Sequence, residues 1–463
     1  MRGPADLTVV GAGFAGLCLA ARAVEGGWPA AQVKVIARGL GSFALHPGTI
    51  DVAWDPEQLR AVLQGEAASS IWGEDHPYRQ LRAGELEQMF TRFAGVMAKA
   101  GLPYERCEQP GNFLLPTTLG TAHPAWAAPR SLVAGDLGRP EPVLLVGFDQ
   151  LPAVKVDWIA AALQRWSEQR RHSGQPAPAA VSAVVLATAP MLAAAGLPLG
   201  DLDGAYPQAS LSAWGRLWER KAVWQWVSER LPRQPIWREL GENSRILFPL
   251  LGWEQTEPAR LYLGKALGRP VGELLGGLPS PAGVRLGQAL LRLLAQAGVD
   301  CDWGRRVEQV SWVPVAREGR WRLHGVVEET GERFDWQTEG LAWAAGWNNP
   351  LPLQRGSGAG NLGLAGDPTP GRDAPESGGE RWLVQAGESS WRSWRPEWAG
   401  SRSGSLLVSV EWAWRRLAAS AGFGRGEGVQ AGSAAHSLAG AGSPGEGSGD
   451  EPGMMTHLEE GAS

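Results

Sequence analysis

The chain has 463 residues, with 43 Lys and Arg against 48 Asp and Glu, and a formal net charge of −5. This mildly acidic balance offers no basic surface and predicts no nucleic-acid partner. The three cysteines, Cys18, Cys107 and Cys301, lie far apart in the sequence. Their spacing argues against a disulfide framework and predicts no zinc site, other metal site or iron–sulfur cluster on this chain.

A strand, a glycine turn, a helix and a second strand occupy Asp6 to Arg38. The first strand, Leu7 to Val10, is apolar and leads into a Gly-x-Gly-x-x-Gly turn. Gly11 makes the tight turn, Gly13 lets the backbone approach a phosphate, and Gly16 lets helix and strand pack closely. The N-terminus of the helix offers free N–H groups to an anion. The unit therefore predicts a site for the phosphate of a nucleotide or flavin.

The end of the second strand lacks the acid that many dinucleotide-binding proteins use. In those proteins an acidic side chain at this point binds the ribose hydroxyls. Here Ile36 and Ala37 are followed by Arg38. Because a guanidinium suits a phosphate, the pattern disfavours NAD. It leaves open NADP, FMN, or FAD bound in an unusual way.

One uncharged run, Ser173 to Gly200, is long enough to raise the question of a membrane span. It contains four prolines and is mostly alanine, which favours a linker, a buried strand and a loop. The N-terminus enters a strand at once, and this predicts no signal peptide. We therefore expect a cytoplasmic protein that is not integral to a membrane.

The second half of the chain returns to short apolar strands. A helix after Pro281 and a β-meander precede two strands that each end in glycine, Leu341 to Gly346 and Trp382 to Gly387. Between them, Gln354 to Glu380 is rich in Gly, Pro, Asp and Ser, which is typical of a flexible loop. A closing helix is predicted over Leu406 to Ser420, followed by a disordered Gly/Ser-rich tail.

This order of elements resembles the flavoprotein fold of the glutathione-reductase and fumarate-reductase type. The resemblance implies an α/β fold in which a discontinuous Rossmann-like flavin-binding domain carries an inserted cap domain. It also implies that the strands ending in Gly346 and Gly387 return to the flavin. The expected domains are residues 1–60 with 279–423 for the flavin, 61–278 for the cap or substrate domain, and 424–463 for the disordered tail.

The loop after the second strand is similar to that of one particular family. It reads RGLGSFALHPGTIDV from Arg38 to Val52, with His76-Pro77-Tyr78 downstream. A Pro-x-Pro-x-Gly-x-Arg sequence follows much later, from Pro279 to Arg285. With these features the chain resembles the B subunit of anaerobic glycerol-3-phosphate dehydrogenase, discontinuously from residue 6 to residue 420.

The resemblance implies a flavin-dependent dehydrogenase with FMN as its cofactor and FAD as the alternative. The reaction it implies oxidises glycerol 3-phosphate, a small phosphate substrate, to dihydroxyacetone phosphate and passes the electrons to a quinone. The implied partners are a catalytic FAD subunit and an iron–sulfur subunit anchored in the membrane. Through these partners we expect the protein to lie at the inner face of the membrane.

Site residues follow from the same resemblance. His46 is the candidate catalytic residue, as a proton donor or as a hydrogen-bond partner of flavin or phosphate. The expected cofactor-binding residues are the three glycines of the first turn, two polar residues of the following loop, and glycines at later strand or loop positions: Gly11, Gly13, Gly16, Arg38, Ser42, Gly48, Gly346 and Gly387.

Two other functions stay open at this point. Arg38 favours an NADP-linked oxidoreductase, although the second glycine-rich turn that NADP would need beside FAD is not evident in the sequence. The short, low-complexity segment 354–380 favours a non-catalytic, flavoprotein-like assembly subunit. Arg285 is expected to contact either the substrate phosphate or the surface of a partner.

Overall fold

The computed structural model describes residues 6–66, 76–108, 111–151, 153–196, 211–277, 279–315, 318–345, 383–385 and 402–420. Gly346, Gly387, the segment 354–380 and the tail 424–463 lie outside these residues.

Within the described residues, the strands form two parallel sheets, one antiparallel meander and two short antiparallel pairs. They are β1 (Leu7–Val10), β2 (Val33–Ala37), β3 (Tyr104–Arg106), β4 (Phe113–Pro116), β5 (Ala122–Ala125), β6 (Ala127–Pro129), β7 (Val143–Phe148), β8 (Val181–Leu186), β9 (Arg245–Phe248), β10 (Val271–Glu273), β11 (Asp300–Trp303), β12 (Arg305–Val315), β13 (Glu318–Val327), β14 (Arg333–Thr338), β15 (Gly340–Trp343) and β16 (Leu383–Gln385).

Helices pack against both parallel sheets. They are α1 (Phe14–Glu25), α2 (Pro56–Leu63), α3 (Glu85–Lys99), α4 (Arg130–Val133), α5 (Val156–His172), α6 (Thr188–Ala194), α7 (Leu211–Leu217), α8 (Lys221–Arg230), α9 (Ile236–Glu239), α10 (Thr256–Leu267), α11 (Pro281–Ala297) and α12 (Arg402–Ser420).

The first parallel sheet has the strand order β11-β2-β1-β15-β16. All four residues of β1 are buried, because this strand lies in the middle of the sheet with helices against it. The first two strands of the chain therefore pair with strands that follow residue 299. This confirms the predicted α/β fold with a discontinuous Rossmann-like sheet. The predicted meander is also confirmed, as β12, β13 and β14.

Helices α1, α3, α11 and α12 share one apolar core with this sheet. The core includes Leu17 of α1, Leu290 of α11 and Trp414 of α12. It also includes Phe90 of α3, a helix within the range expected to form the cap domain. The faces of these helices are apolar at helical spacing, and burying them against the sheet stabilises the fold. The domain boundaries themselves stay a prediction.

The second parallel sheet has the order β10-β9-β7-β8 and lies wholly within the inserted segment. All six residues of β7 are buried, and α5 crosses from β7 to β8 as parallel pairing requires. This sheet has its own apolar core, which includes Leu145, Leu163, Trp218 and Phe248.

A buried ion pair joins the inserted sheet to the helix that follows it. The guanidinium of Arg285, on α11, donates two hydrogen bonds to the carboxylate of Glu273, on β10, at 2.5 and 2.9 Å. Arg285 also donates to the Gly252 carbonyl at 2.9 Å, and Ser131 donates to Glu273 at 2.6 Å. Both charged side chains are 2% exposed. The prediction that Arg285 meets a substrate phosphate or a partner is therefore wrong, because its charge is buried and already neutralised.

Replacing Arg285 with Met should lower the free energy of unfolding by about 3–5 kcal/mol, because Glu273 would stay buried without its cation. Urea denaturation followed by far-UV circular dichroism measures this change. Arg322, whose partner Asp335 lies on the surface, provides the matched control. Arg322→Met should leave the denaturation midpoint almost unchanged. Equal and small losses in the two variants would contradict the role given to the buried pair.

Candidate functional site

The glycine turn joins the two central strands to the start of α1. The Gly11 N–H donates to the Ile36 carbonyl of β2 at 2.8 Å, so the turn is tied to the neighbouring strand. Gly11 has φ of +110°, and a Cβ there would meet the Ala344 carbonyl, beyond the end of β15. A Cβ at Gly16 would meet the Gly11 carbonyl. Both positions therefore accept only glycine without movement of the backbone.

The N-terminus of α1 is open to an anion. Gly13 precedes the helix in an extended conformation, with no side-chain hydrogen bond capping the first turn and no acid in that turn. A Cβ at Gly13 would meet nothing within 4 Å. The first N–H groups of the helix and the positive end of its dipole thus face space that a phosphate can enter. The geometry fits the flavin phosphate predicted for these glycines.

The loop from Arg38 to Asp51 lies at the carboxyl edge of the first sheet. Gly41 packs on the backbone of Gly13, since a Cβ at Gly41 would lie 2.9 Å from the Gly13 Cα. Gly48 is buried and packs against Ala282 of α11. The loop is thus held between the glycine turn and α11. Ser42 is exposed in this loop.

Arg38 lies at the end of β2 as expected, and its side chain is 72% exposed. Its Nε donates to Glu328 at 2.7 Å. Glu328 follows β13 and also pairs with Arg306 at 3.4 Å. The acid missing from the end of β2 is thus brought there by the meander. No sequence pattern signals this contact, because the two residues are 290 positions apart.

His46 is half-buried, and its Nδ1 accepts a hydrogen bond from the Gly48 N–H at 2.9 Å. Its ring stacks on Phe14, at the start of α1, with 5.5 Å between ring centroids and 15° between planes. These contacts hold His46 beside the N-terminus of α1. A catalytic role for His46 stays a prediction.

A group of polar side chains, all buried except the half-buried His123, lies where the loop, the β4–β5 hairpin, the 76–78 turn and α12 meet. Asp51 accepts a hydrogen bond from the Thr49 hydroxyl at 2.8 Å and lies 3.2 Å from His123 Nε2. The Ser405 hydroxyl lies 3.4 Å from His76 Nε2 and forms a hydrogen bond with Tyr78. The negative charge of Asp51 also acts on the Tyr78 hydroxyl. We call this set the polar cluster; its members are Thr49, Asp51, His76, Tyr78, His123 and Ser405.

The pKa values of the two histidines in the polar cluster are shifted in opposite directions. Burial lowers the pKa of His76 to about 3, so this ring is neutral. Burial also lowers the pKa of His123, but the hydrogen bond and the charge of Asp51 outweigh burial and raise it above its ordinary value. His123 is absent from the predicted site residues because it lies 72 positions from Asp51, with no motif joining them.

Neither a metal site nor a membrane-spanning helix occurs in the described part of the chain. Within those residues, no set of three or more His, Cys, Asp or Glu side chains is arranged to hold a metal ion. No described helix has the length and apolarity needed to cross a membrane.

The comparisons with known proteins agree with this geometry. Residues 6–190 match the family model of a FAD binding domain. A Halobacterium salinarum protein, named as a probable B subunit of anaerobic glycerol-3-phosphate dehydrogenase, is 28% identical over 304 residues, 65% of this chain. The match spans 66% of that protein, just under two thirds of its length. The corresponding Vibrio vulnificus protein is 28% identical over 124 residues, 26% of this chain and 28% of that one.

Solved structures show weaker likeness. A 3-ketosteroid Δ1-dehydrogenase from Sterolibacterium denitrificans has a TM-score of 0.30 and 16% identity, covering 74% of this chain and 48% of that one. Thioredoxin reductase from Lactococcus lactis has a TM-score of 0.16 and 9% identity, covering 90% and 99%. Scores this low carry no argument about the site.

The parallel sheet, the glycine turn and the matched domain define a flavin-binding α/β protein. Within that class the chain resembles the B subunit of anaerobic glycerol-3-phosphate dehydrogenase, as its sequence motifs predicted. The prediction of a flavin is confirmed at this level. The matched domain is described for FAD and gives no support for FMN, the cofactor expected first.

The neutral state of His76 predicts acid sensitivity. The unfolded chain binds a proton below the ordinary histidine pKa of 6.5, whereas the folded protein resists protonation until about pH 3. The His76 contribution to stability is therefore present above pH 6.5 and is lost as the pH falls, by up to about 1.4 kcal/mol per pH unit.

Urea denaturation at several pH values from 7 to 4 measures this slope. His76→Gln, which removes the titrating ring, should flatten the slope; the same substitution at the exposed His172 is the control for the exchange itself. A slope that is the same in His76→Gln and the unmodified protein would contradict the prediction.

Proposed function

We propose that the chain is a FAD-dependent oxidoreductase subunit that acts in the oxidation of glycerol 3-phosphate to dihydroxyacetone phosphate. The observation that carries the proposal is the match of residues 6–190 to a FAD binding domain, over a glycine turn whose geometry suits a phosphate. The substrate rests on the named relatives, which are glycerol-3-phosphate dehydrogenase subunits.

The residues that would hold FAD lie in the glycine turn and in the loop after β2. Gly11 and Gly16 shape the turn, and Gly13 leaves room for the pyrophosphate at the N-terminus of α1. Ser42 and Gly48 belong to the loop that packs against this turn. Gly346 and Gly387, which lie outside the described residues, stay proposed contacts of the cofactor.

Arg38 has a different proposed role from the one that an NADP enzyme would need. Its guanidinium faces the carboxylate of Glu328 at 2.7 Å. A carboxylate at this point suits ribose hydroxyls and repels a 2′-phosphate. This contact favours FAD over NADP and makes the Arg38–Glu328 pair a candidate neighbour of the adenosine ribose.

FAD, when bound, takes up a hydride from the carbon that carries the alcohol and releases the electrons to an acceptor. The chain's own residues would bind and orient the flavin through the glycine turn and the loop after β2. His46 stacks beside the start of α1 and is the proposed hydrogen-bond partner of the flavin or of the substrate phosphate.

The relatives are named as one subunit of a larger enzyme, and this implies partner subunits. We propose a catalytic FAD subunit and an iron–sulfur subunit anchored in the membrane, which would pass the electrons to a quinone. This chain would then lie at the inner face of the membrane through its partners.

The purified chain, refolded or incubated with FAD, should show a flavin absorption spectrum and release FAD on denaturation. Anaerobic glycerol 3-phosphate should then bleach the bound flavin. A colourless protein that binds neither FAD nor FMN would overturn the flavin assignment. A bound flavin that stays oxidised with glycerol 3-phosphate, but bleaches with dithionite, would overturn the substrate assignment.

Gly13→Asp should weaken FAD binding at least tenfold, because the new carboxylate would point into the space proposed for the pyrophosphate. The same side chain is a good helix cap, so the denaturation midpoint should not fall. Fluorescence titration with FAD gives the dissociation constant. Gly241→Asp, at an exposed glycine of the inserted segment with no atom within 4 Å of its Cβ position, is the matched control. Equal affinity in both variants would argue against a phosphate at Gly13.

A further inference from the structure

The carboxyl edge of the first parallel sheet continues from the glycine turn to β11, the last strand on that side in the described part of the chain. The strand order is β11-β2-β1, so the turn follows β1, Arg38 follows β2, and Trp303 ends β11. Neighbouring strands lie about 4.8 Å apart, which places the end of β11 about 10 Å from the end of β1. Three strand ends in a row thus extend the edge well beyond the phosphate position at the turn.

Contacts of the backbone and one ion pair bring Trp303, Arg38 and Glu328 together at this edge. The Cα of Trp303 is paired with that of Ala37, the residue before Arg38. The next residue, Gly304, accepts the Glu328 N–H on its carbonyl at 2.8 Å. Arg38 Nε in turn donates to Glu328 Oε2 at 2.7 Å. The ends of β2 and β11 and the end of β13 are therefore joined in one place.

The Trp303 side chain belongs to the face of the sheet that α1 covers. Side chains two residues apart on a strand share a face, so Trp303 lies on the same side as Cys301. Cys301 packs against the apolar core that β2 shares with α1 and α11. Trp303 itself stays 40% exposed. A large aromatic surface is thus open to solvent two strands away from the N-terminus of α1 and on the same face.

The stretch between the glycine turn and Trp303 is open. A Cβ at Gly13, in the turn, or at Gly39, after Arg38, would meet no atom within 4 Å. Leu40, which follows Gly39, is 43% exposed. A ligand that leaves the turn along the strand ends therefore meets little obstruction from the described residues before it reaches β11.

Glu328 has the chemistry to bind hydroxyl groups at this edge. Arg38 contacts its Oε2, and the Nε of Arg306 lies 3.4 Å from its Oε1, so the two cations hold the carboxylate from both sides. The side chain stays 31% exposed. Each carboxylate oxygen can accept more than one hydrogen bond, so Glu328 can still accept from a sugar hydroxyl. In dinucleotide-binding proteins an acid at the end of the second strand has this task.

We propose that this edge is an adenosine subsite, in which the Trp303 ring packs against the adenine and Glu328 accepts the ribose hydroxyls. The inference rests on the proposed function, because the adenosine is that of FAD. The order of the strand ends, β1, β2 and β11, matches the order of pyrophosphate, ribose and base along the nucleotide. Aromatic side chains stack on purine bases, and this stacking stabilises binding. FMN has no adenosine, so the subsite makes the chain prefer FAD.

Fluorescence titration of the flavin-free chain with FAD and with FMN tests the role of Trp303. Trp303→Ala should raise the dissociation constant of FAD about tenfold, because one base loses its aromatic partner, and should leave that of FMN unchanged. Trp303→Phe keeps an aromatic face and should restore FAD binding to within threefold. Trp158→Ala, at a tryptophan of α5 that is 77% exposed, is the control and should change neither constant.

Competition against bound FAD tests the role of Glu328 with small adenosine nucleotides. In the unmodified protein, adenosine 5′-monophosphate should displace FAD at a lower concentration than its 2′-deoxy analogue. Glu328→Ala should abolish this difference, because the acceptor of the hydroxyl is gone. Glu339→Ala should keep it, since Glu339 pairs with Arg320 at 3.4 Å on the same meander, beside the start of β15. Adenosine 2′,5′-bisphosphate should bind no more tightly than the monophosphate.

The outcomes separate the subsite from the proposed function. An unmodified protein that binds neither FAD nor FMN overturns the proposed function, and the subsite falls with it. Equal affinity for FAD and FMN in the unmodified protein, or an equal loss of both in Trp303→Ala, overturns the subsite while the flavin assignment stands. A preference for the ribonucleotide that persists in Glu328→Ala overturns the role of Glu328. Tighter binding of the 2′,5′-bisphosphate overturns it in favour of NADP.

Discussion

The buried ion pair between Arg285 and Glu273 fixes the inserted sheet against α11. Two charges that are 2% exposed carry a large desolvation penalty, which their two mutual hydrogen bonds and the contacts to Gly252 and Ser131 offset. The segment from Glu273 to Leu275 is in turn joined to the β4–β5 hairpin by backbone hydrogen bonds. The position of His123 over the loop after β2 thus depends on a charge pair in a different part of the molecule.

The site combines one rigid part and one assembled part. The glycine turn is rigid because Gly11 and Gly16 pack directly against backbone atoms. The open N-terminus of α1, which follows the turn, attracts a phosphate through its N–H groups and needs no side chain to do so. The polar cluster is assembled from four segments, and its members differ in charge because they differ in burial and in partners. Neutral His76 and an easily protonated His123 occur in the same cluster, because burial lowers the pKa of His76 whereas the Asp51 carboxylate lies at hydrogen-bond distance from His123 and raises its pKa.

The assignment of a flavin and the resemblance to the glycerol-3-phosphate dehydrogenase family rest on different observations. The family match over residues 6–190 covers the glycine turn, the loop and β7, and it names FAD. The first expectation of FMN came from the resemblance to the glycerol-3-phosphate dehydrogenase family, which the named relatives support without naming a cofactor. The contact of Arg38 shows what the fold adds to a local sequence pattern. Alone Arg38 suggests a phosphate, whereas in the fold it meets Glu328, which restores an acid to the end of β2.

The sequence by itself determined the features that local pattern encodes: the strand, glycine turn and helix around Gly13, the meander, and the return of late strands to the first sheet. Each depends on residues close together or on a common order of elements. Only the tertiary structure decided the partners of Arg38, Asp51 and Arg285. Arg38 and Glu328 are 290 residues apart, and Asp51 and His123 are 72 residues apart. No sequence spacing therefore predicts either contact. Long-range ion pairs leave no periodic trace in a sequence, because chain folding rather than local conformation brings their charges together.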